Sequence, residues 1–395
     1  MAYCKLCGKY ECRKHSILIG RARNISGFSG SSPPEVFVGR YGYPHVNVGI
    51  LSPEQYGDNK VMSSAEEWHA KKMGISDILR MRNMLIYGRK KDNVKRAALS
   101  NKFLGVVQEI AMADSSVASE FKLKKPIKKH DEKESRVPLI ANAGEVENVR
   151  LQENPKIKKK VEYLVNDVDV KSNASMPELE KAGIGTSSII KLLSAGLLGL
   201  KKNRKLVPTR WAITAVDDIL SNKKIDEIKY FPEIQDYRVF THNYLGNYYE
   251  ILLIPRFWSF EVIEISLRGG VWRDSESIFR RKKYAESVTG AYYANRLAVC
   301  EYLMDVKKQT SVIVFREIRP EYYAPLGVGI LRETTRSAMK SEARKFFNLK
   351  DALEDIQSRL RISVDRYLKD SFLMKELEQK RLKDYIKIAD TRVQS

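Results

Sequence analysis

The spacing of apolar positions divides the chain into helical and extended stretches. From residue 349 to about residue 388 apolar side chains return every three or four positions, with Leu349, Leu353, Ile356 and Leu360 in step, which predicts helix. Residues 248–254 (YYEILLI), 258–267 and 311–319 (SVIVFREIR) are aromatic and β-branched runs of strand length, and they predict buried strands. Asn243 to Asn247, around Gly246, suits a hairpin turn. Val36-Phe37-Val38 and Val46-Asn47-Val48 predict two short strands in a stretch crowded with Gly, Pro and Ser. Residues 63–91 read as helix, with Ser63 or Ser64 as cap and Glu66 and Glu67 in the first turn. Residues 93–121 continue in helical style, and 277–305 read as helix. The resulting class is α+β: a mixed sheet core with helical subdomains, an N-terminal knuckle and a C-terminal helix.

These patterns and the shifts in composition between them predict six regions. Residues 1–20 form a cysteine-rich knuckle. Residues 21–121 hold the Gly/Pro-rich segment and helices, and 122–155, opening on KLKKPIKKHDEKESR, a charged linker or arm. Residues 156–230 form a helical, basic unit, 231–348 a β-rich α+β region, and 349–395 the C-terminal helix.

Composition turns attention to polyanions. Among 395 residues, Lys and Arg number 70 and Asp and Glu 49, a net charge of +21. Such a surface attracts nucleic acid first and an anionic membrane second. Apolar residues at 43% and aromatics at 9% exclude a disordered chain. The opening MAYCKLCGKY has no apolar signal core, and no run reaches the roughly 18–20 apolar residues of a membrane span. The expectation is a cytoplasmic protein with no membrane partner.

Three of the four cysteines fall in the first twelve residues. Cys4, Cys7, Cys12 and His15 have the spacing C-x2-C-x4-C-x2-H, two close pairs that offer zinc a tetrahedron without a preformed core. Gly8 suits the tight knuckle, and Lys5, Lys9, Arg13 and Lys14 favour the thiolates. With all four positions taken by protein, the expected Zn2+ is structural.

Residues 379–386 (QKRLKDYI) place Gln379 one turn before Leu382, Tyr385 and Ile386, whose offsets put them on one helical face. This is the pattern of the peptide that docks on the replication sliding clamp (PCNA). It departs by ending in Tyr385-Ile386 where two aromatics are usual. The plainer reading is an amphipathic terminal helix packed on its own domain.

Residues 176–222 read as helix, turn at Gly183 and Gly185, second helix, then a basic segment from Leu200 to Leu206 that predicts a hairpin with Asn203 at its turn. That order is the order of a winged helix. From Lys181 to Val216 there are seven Lys or Arg and no acid, so Lys201, Lys202, Arg204, Lys205 and Arg210 are candidate phosphate contacts. An ordinary helical subdomain with a solvated basic loop is the alternative. In the Gly/Pro-rich segment Arg40 is placed to pair with phosphate and Tyr41 or Tyr43 to stack on a base, although no P-loop ending follows. The plainer reading there is a turn-rich structural segment.

Both ends of the chain, together with FSGSSPPEVFVGRYGYPHVNVGILSP and LVPTRWAITAVDD, resemble the archaeal Nre proteins over essentially the whole length. The resemblance implies a DNA repair factor acting in the DNA-damage response with the sliding clamp; with the charge and the absence of a signal core, the expectation is a DNA-bound protein in the cytoplasm, associated with the nucleoid. It implies that the family's four-cysteine metal motif falls on Cys4, Cys7, Cys12 and, by position, His15. It names no reaction, and catalytic residues are unknown. Asp217-Asp218, Glu250, Glu261 and Glu264 are weak candidates for a magnesium site, since neighbours on a helix diverge by about 100°. His45 and His242 are candidate bases only because histidine titrates near neutrality. A metal-dependent nuclease or base-acting enzyme with its site near residues 30–48, and an RNA-binding zinc-knuckle protein, stand as alternatives.

Overall fold

The computed structural model describes residues 24–99, 101–127 and 142–378. Two compact units emerge. One takes the described residues up to Lys223 with Tyr322–Glu333; the other takes Lys224–Glu321 and the described residues from Thr334 onward. Each is built on a six-stranded mixed sheet with helices, an α+β architecture.

The first unit contains β1 (Ile25–Ser32), β2 (Val36–Val38), β3 (His45–Ser52), β4 (Ile86–Asn93), β5 (Val117–Ile127) and β6 (Asn142–Leu151), in the order β1-β5-β6-β4-β3-β2. Only the β4–β6 pairing is parallel. In β3, Val46, Val48 and Ile50 alternate inward and are fully buried, as a period of two requires. Gly49 is demanded by close approach: a Cβ there would lie 2.1 Å from the carbonyl oxygen of Gly88.

Helices α1 (Ala65–Ala70), α2 (Ile75–Met84), α3 (Lys102–Met112), α4 (Lys159–Asn166), α5 (Ser172–Lys181) and α6 (Thr186–Ser194) belong to this unit, and α7 (Thr209–Ile228) starts in it. Ser64 does cap α1, its hydroxyl accepting from the Glu67 amide at 3.2 Å. The helix expected over 63–91 nevertheless ends early. Leu85, Ile86 and Tyr87 are all buried, a consecutive run that suits a covered strand and not one face of a helix.

The helical style expected to residue 121 fails for a similar reason. Val117, Ser119, Phe121 and Leu123 point inward at alternate positions, so the segment is β5. Residues 122–127, the start of the expected arm, continue that strand, and 142–151 form its partner β6. The predicted hairpin at Leu200–Leu206 is instead a single 3-10 turn, Lys201–Asn203. The Lys201 amide donates to the Val168 carbonyl at 3.0 Å, and the Arg204 guanidinium donates to the carbonyls of Gly199 and Asp167. The backbone therefore has partners other than a cross-strand ladder, and the helix-turn-helix arrangement of α5 and α6 is not followed by a wing.

The second unit contains β7 (Tyr237–Tyr244), β8 (Asn247–Ile254), β9 (Ser259–Ser266), β10 (Val271–Glu276), β11 (Ser311–Ile318) and β12 (Arg344–Phe346), in the order β10-β9-β11-β8-β7-β12. Leu245 and Gly246 join β7 to β8 with φ of 53° and 81°, the positive pair that a two-residue hairpin turn takes. Its helices are α8 (Gly290–Val306), α10 (Leu349–Gln357), α11 (Val364–Leu368) and α12 (Phe372–Glu378); α9 (Val328–Lys340) begins in the first unit and ends here. Residues 277–289, expected as helix, precede α8 and are not helical. Ala352, Ile356, Leu360, Tyr367 and Leu373 pack against Val239, Leu252, Ile263, Ile313 and Phe315 on the sheet. Elsewhere Phe260 meets Tyr292 and Phe240 meets Tyr302 of α8. With helices packed on the sheet, β8, β9 and β11 are buried along almost their whole length, Glu250, Glu261, Glu264 and Arg316 included.

Candidate nucleic-acid interface

The residues predicted to meet nucleic acid converge in part, at the loop after β2. The chain leaves β2 at Gly39 and turns back into β3 through residues 39–44. The His45 amide donates to the Gly42 carbonyl at 2.8 Å, with Gly42 at φ 78°. The loop is tied down on two sides. Pro44 O accepts from the Val94 amide at 2.9 Å, and Val94 O accepts from the Leu206 amide at 2.9 Å. The Val38 amide donates to Thr209 Oγ1 at 2.9 Å, and Thr209 Oγ1 is 3.0 Å from Ser194 Oγ. Thr209 is the first residue of α7, so its two successors, Arg210 and Trp211, stand beside the loop.

The result is a basic and aromatic cluster. The Arg40 guanidinium lies 5.2 Å from the centroid of the Tyr41 ring and donates to its hydroxyl at 3.4 Å. That hydrogen bond and the Arg40 charge lower the Tyr41 phenol from its ordinary value, and Arg210 adds to the effect. Tyr43 and Trp211 have ring centroids 5.4 Å apart and are tilted by 50°. Tyr41 is 80% exposed, Tyr43 52% and Trp211 46%. Arg40, Arg210, Lys95 and Lys205 are exposed as well.

The other predicted contacts fare differently. Lys201 and Lys202 are exposed, on the 3-10 turn held to the connection between α4 and α5. Arg204 has two nitrogens of its guanidinium on backbone carbonyls, so its role is to fix that turn. Cys4, Cys7, Cys12 and His15, and Gln379, Leu382, Tyr385 and Ile386, lie outside the described residues.

The carboxylates considered for magnesium are each engaged within the fold. Asp217 is fully buried and paired with Arg332. Glu250 accepts from Arg359 and Thr241, Glu264 pairs with Arg316, and Glu261 caps the N-terminus of α12. Among the described residues no group of three or more His, Cys, Asp or Glu side chains is arranged to hold a metal. His45 is exposed, its Nε2 3.2 Å from Asn93 Nδ2. Tyr43 carried a sequence signal, but the part of Trp211 did not. Its one legible trace was a tryptophan within a basic first turn, TRW, which gives no hint of the loop it meets.

Two family models match the chain, Archaeal Nre, N-terminal over residues 2–273 and Archaeal Nre, C-terminal over residues 276–385. The chain belongs to the archaeal Nre family. DNA repair protein NreB of Archaeoglobus fulgidus is 37% identical to this Nre chain over 390 residues, covering 96% of it and 97% of the relative. DNA repair protein NreA of the same organism is 36% identical over 366 residues, 89% and 91% of the two chains. NreA of Haloferax volcanii is 32% identical over 350 residues, 85% and 83% of the two. No solved structure matches. Among the described residues of this Nre chain, no helix is long and apolar enough to cross a membrane.

Proposed function

We propose that this Nre chain is a DNA repair factor that grips DNA with the loop 39–44 and the first turn of α7, and is tethered to the sliding clamp by residues 379–386. The observation that carries the DNA-binding part is the Arg40, Tyr41, Tyr43, Arg210 and Trp211 cluster. Cations and exposed rings on a pre-set loop are what phosphates and base faces require, and a net charge of +21 draws the polyanion in. The names of the relatives supply DNA as the polyanion. The donor set Cys4, Cys7, Cys12 and His15 fits zinc in a closed, structural site, a staple for the N-terminal knuckle. The protein acts in the cytoplasm, at the nucleoid.

The test is a titration of the full chain with labelled DNA at several salt concentrations. Arg40→Ala with Arg210→Ala is expected to weaken binding and to flatten the salt dependence by about two phosphate contacts, roughly 0.7 in slope for each on a single strand and roughly 0.9 on a duplex. Unaltered affinity and slope in the double variant would remove this surface from the reading.

A further inference from the structure

We infer that the DNA this surface takes is unpaired, its bases stacking on Tyr41, Trp211 and Tyr43 while Arg40 and Arg210 hold the phosphates. The inference deepens the DNA-binding reading above and rests on it. Cations alone suffice for a duplex, whose exterior offers phosphates and groove edges while its base faces are already stacked inside. Rings exposed at 80%, 52% and 46% have no partner on such a surface. A single strand offers free base faces, each worth a substantial stacking contact and tolerant of sequence.

Geometry limits how the bases bind. A base sandwiched between two rings needs two stacking distances of about 3.4 Å, roughly 6.8 Å in all, with the planes parallel. Tyr43 and Trp211 are 5.4 Å apart and tilted by 50°, so bases lie on their outer faces and not between them. Arg40 occupies one side of the Tyr41 ring and leaves the other for a base. The loop is held by Gly42–His45, Val94–Pro44 and Val38–Thr209 hydrogen bonds, so binding orders little chain.

The experiment uses the full-length protein with three probes of about 15 nucleotides: oligothymidine, a blunt duplex, and a single strand of abasic spacers carrying the same phosphates. Oligothymidine is expected to bind tightest. Tyr41→Ala and Trp211→Ala should each weaken it by about 5- to 150-fold, leaving the duplex, the abasic strand and the salt slope unchanged. Tyr41→Phe keeps the ring but loses the hydroxyl that accepts from Arg40, and should keep the preference for oligothymidine over the abasic strand. Both rings are exposed, so unchanged thermal unfolding serves as the control for folding. Equal affinity for abasic and thymidine strands, or variants that keep the single-strand preference, would overturn stacking while leaving phosphate binding intact. Ring-dependent binding of oligouridine far above oligothymidine would make this an RNA surface and overturn the inference. Loss of all binding to every probe in the wild-type protein would sink the DNA-binding reading itself.

Discussion

Asp217 and Arg332 close a two-pronged ion pair inside the first unit, Nε to Oδ1 at 2.9 Å and Nη2 to Oδ2 at 2.7 Å. Neither side chain is more than 1% exposed. The pairing joins the first half of α7 to α9, which returns to this unit from far along the chain. It also decides between the two neighbouring aspartates: Asp217 points inward, while half-buried Asp218 accepts from Asn222 at 2.9 Å. Asp217→Asn breaks this two-pronged buried pair, and losing one partner of such a pair costs up to about 3–5 kcal/mol. Asp218→Asn should cost under about 1 kcal/mol, as a partly exposed contact does. Urea unfolding midpoints read both. Equal effects, or stabilisation of the wild type by magnesium, would contradict a purely structural Asp217.

Glu66 predicts how the first unit meets acid. Burial pushes its carboxyl up, but hydrogen bonds from Ser187 and the charges of Arg332 and Lys191 outweigh it, so the group sits below its ordinary value of 4.5. Ser187 Oγ lies 2.6 and 2.8 Å from its two oxygens, a tie between α1 and the start of α6. A carboxyl lowered in the folded state lends stability that is complete above its unfolded value and lost as pH falls through the folded one. Wild type should therefore weaken below about pH 4.5, and Glu66→Gln should lose less over the same interval while starting weaker at pH 7. Unfolding free energies at pH 7 and pH 3.5 check this; parallel losses in both proteins would count against Glu66 as the acid-sensitive tie.

Strands with both faces covered were legible from sequence because runs such as residues 248–254, apolar apart from Glu250, are too short and too continuously apolar to be one face of a helix. The turn at Leu245-Gly246 was legible from its glycine, and the α1 cap from Ser64 with acids behind it. The strand β5 was obscured because Lys122 and Lys124 mark its exposed face and Lys125 follows them, and this charge density hides the alternation beneath it. The turn at 201–203 was hidden because its hydrogen-bond partners, Val168 and Asp167, lie in a distant connection that no local pattern reveals. The same holds for the candidate interface. Arg40, Tyr41 and Arg210 were each suspected from local chemistry, but the Val38–Thr209 bond that brings Trp211 to Tyr43 is a property of the tertiary fold.

Glu261 offers a local test of the second unit. Buried on β9, it accepts from Ser371 Oγ at 2.5 Å and from the amides of Phe372 and Leu373 at 2.9 and 3.1 Å. The carboxylate thus meets the amides that the first turn of α12 leaves open. Glu261→Ala leaves those buried donors unmatched at a cost of about 2 kcal/mol. Hydrogen exchange over residues 372–378 should quicken well before the rest of the unit does. Protection there equal to wild type would mean that Leu373 and its neighbours hold α12 unaided.

The zinc proposal separates the cysteines by reactivity. Cys300 is buried, and burial pushes its thiol far above the ordinary range, so it neither binds metal nor reacts readily. The purified protein is expected to carry about one zinc per chain. A chelator should release it and expose about three fast-reacting thiols, with the fourth appearing only on unfolding. Thiol counting alongside elemental analysis reads this. A metal-free protein whose N-terminal thiols are unaffected by chelator would remove the staple, as would retention of full zinc by Cys7→Ser.

The clamp tether makes the sharpest demand on the tail. Helix α12 is fixed by buried Leu373 and by Arg256, which donates to the Glu376 carbonyl at 2.8 Å, so Gln379 follows directly from an anchored base. In the proposed tether, Leu382, Tyr385 and Ile386 would be the side chains a clamp pocket buries. On the proposed reading, Leu382→Ala with Tyr385→Ala should abolish clamp binding in a titration while the urea midpoint stays at its wild-type value. Ile386→Phe restores the second aromatic of the usual pattern and should tighten binding through the larger ring it buries. If the double variant instead lowers the urea midpoint and leaves clamp affinity unchanged, those side chains pack on their own domain, and the tether falls.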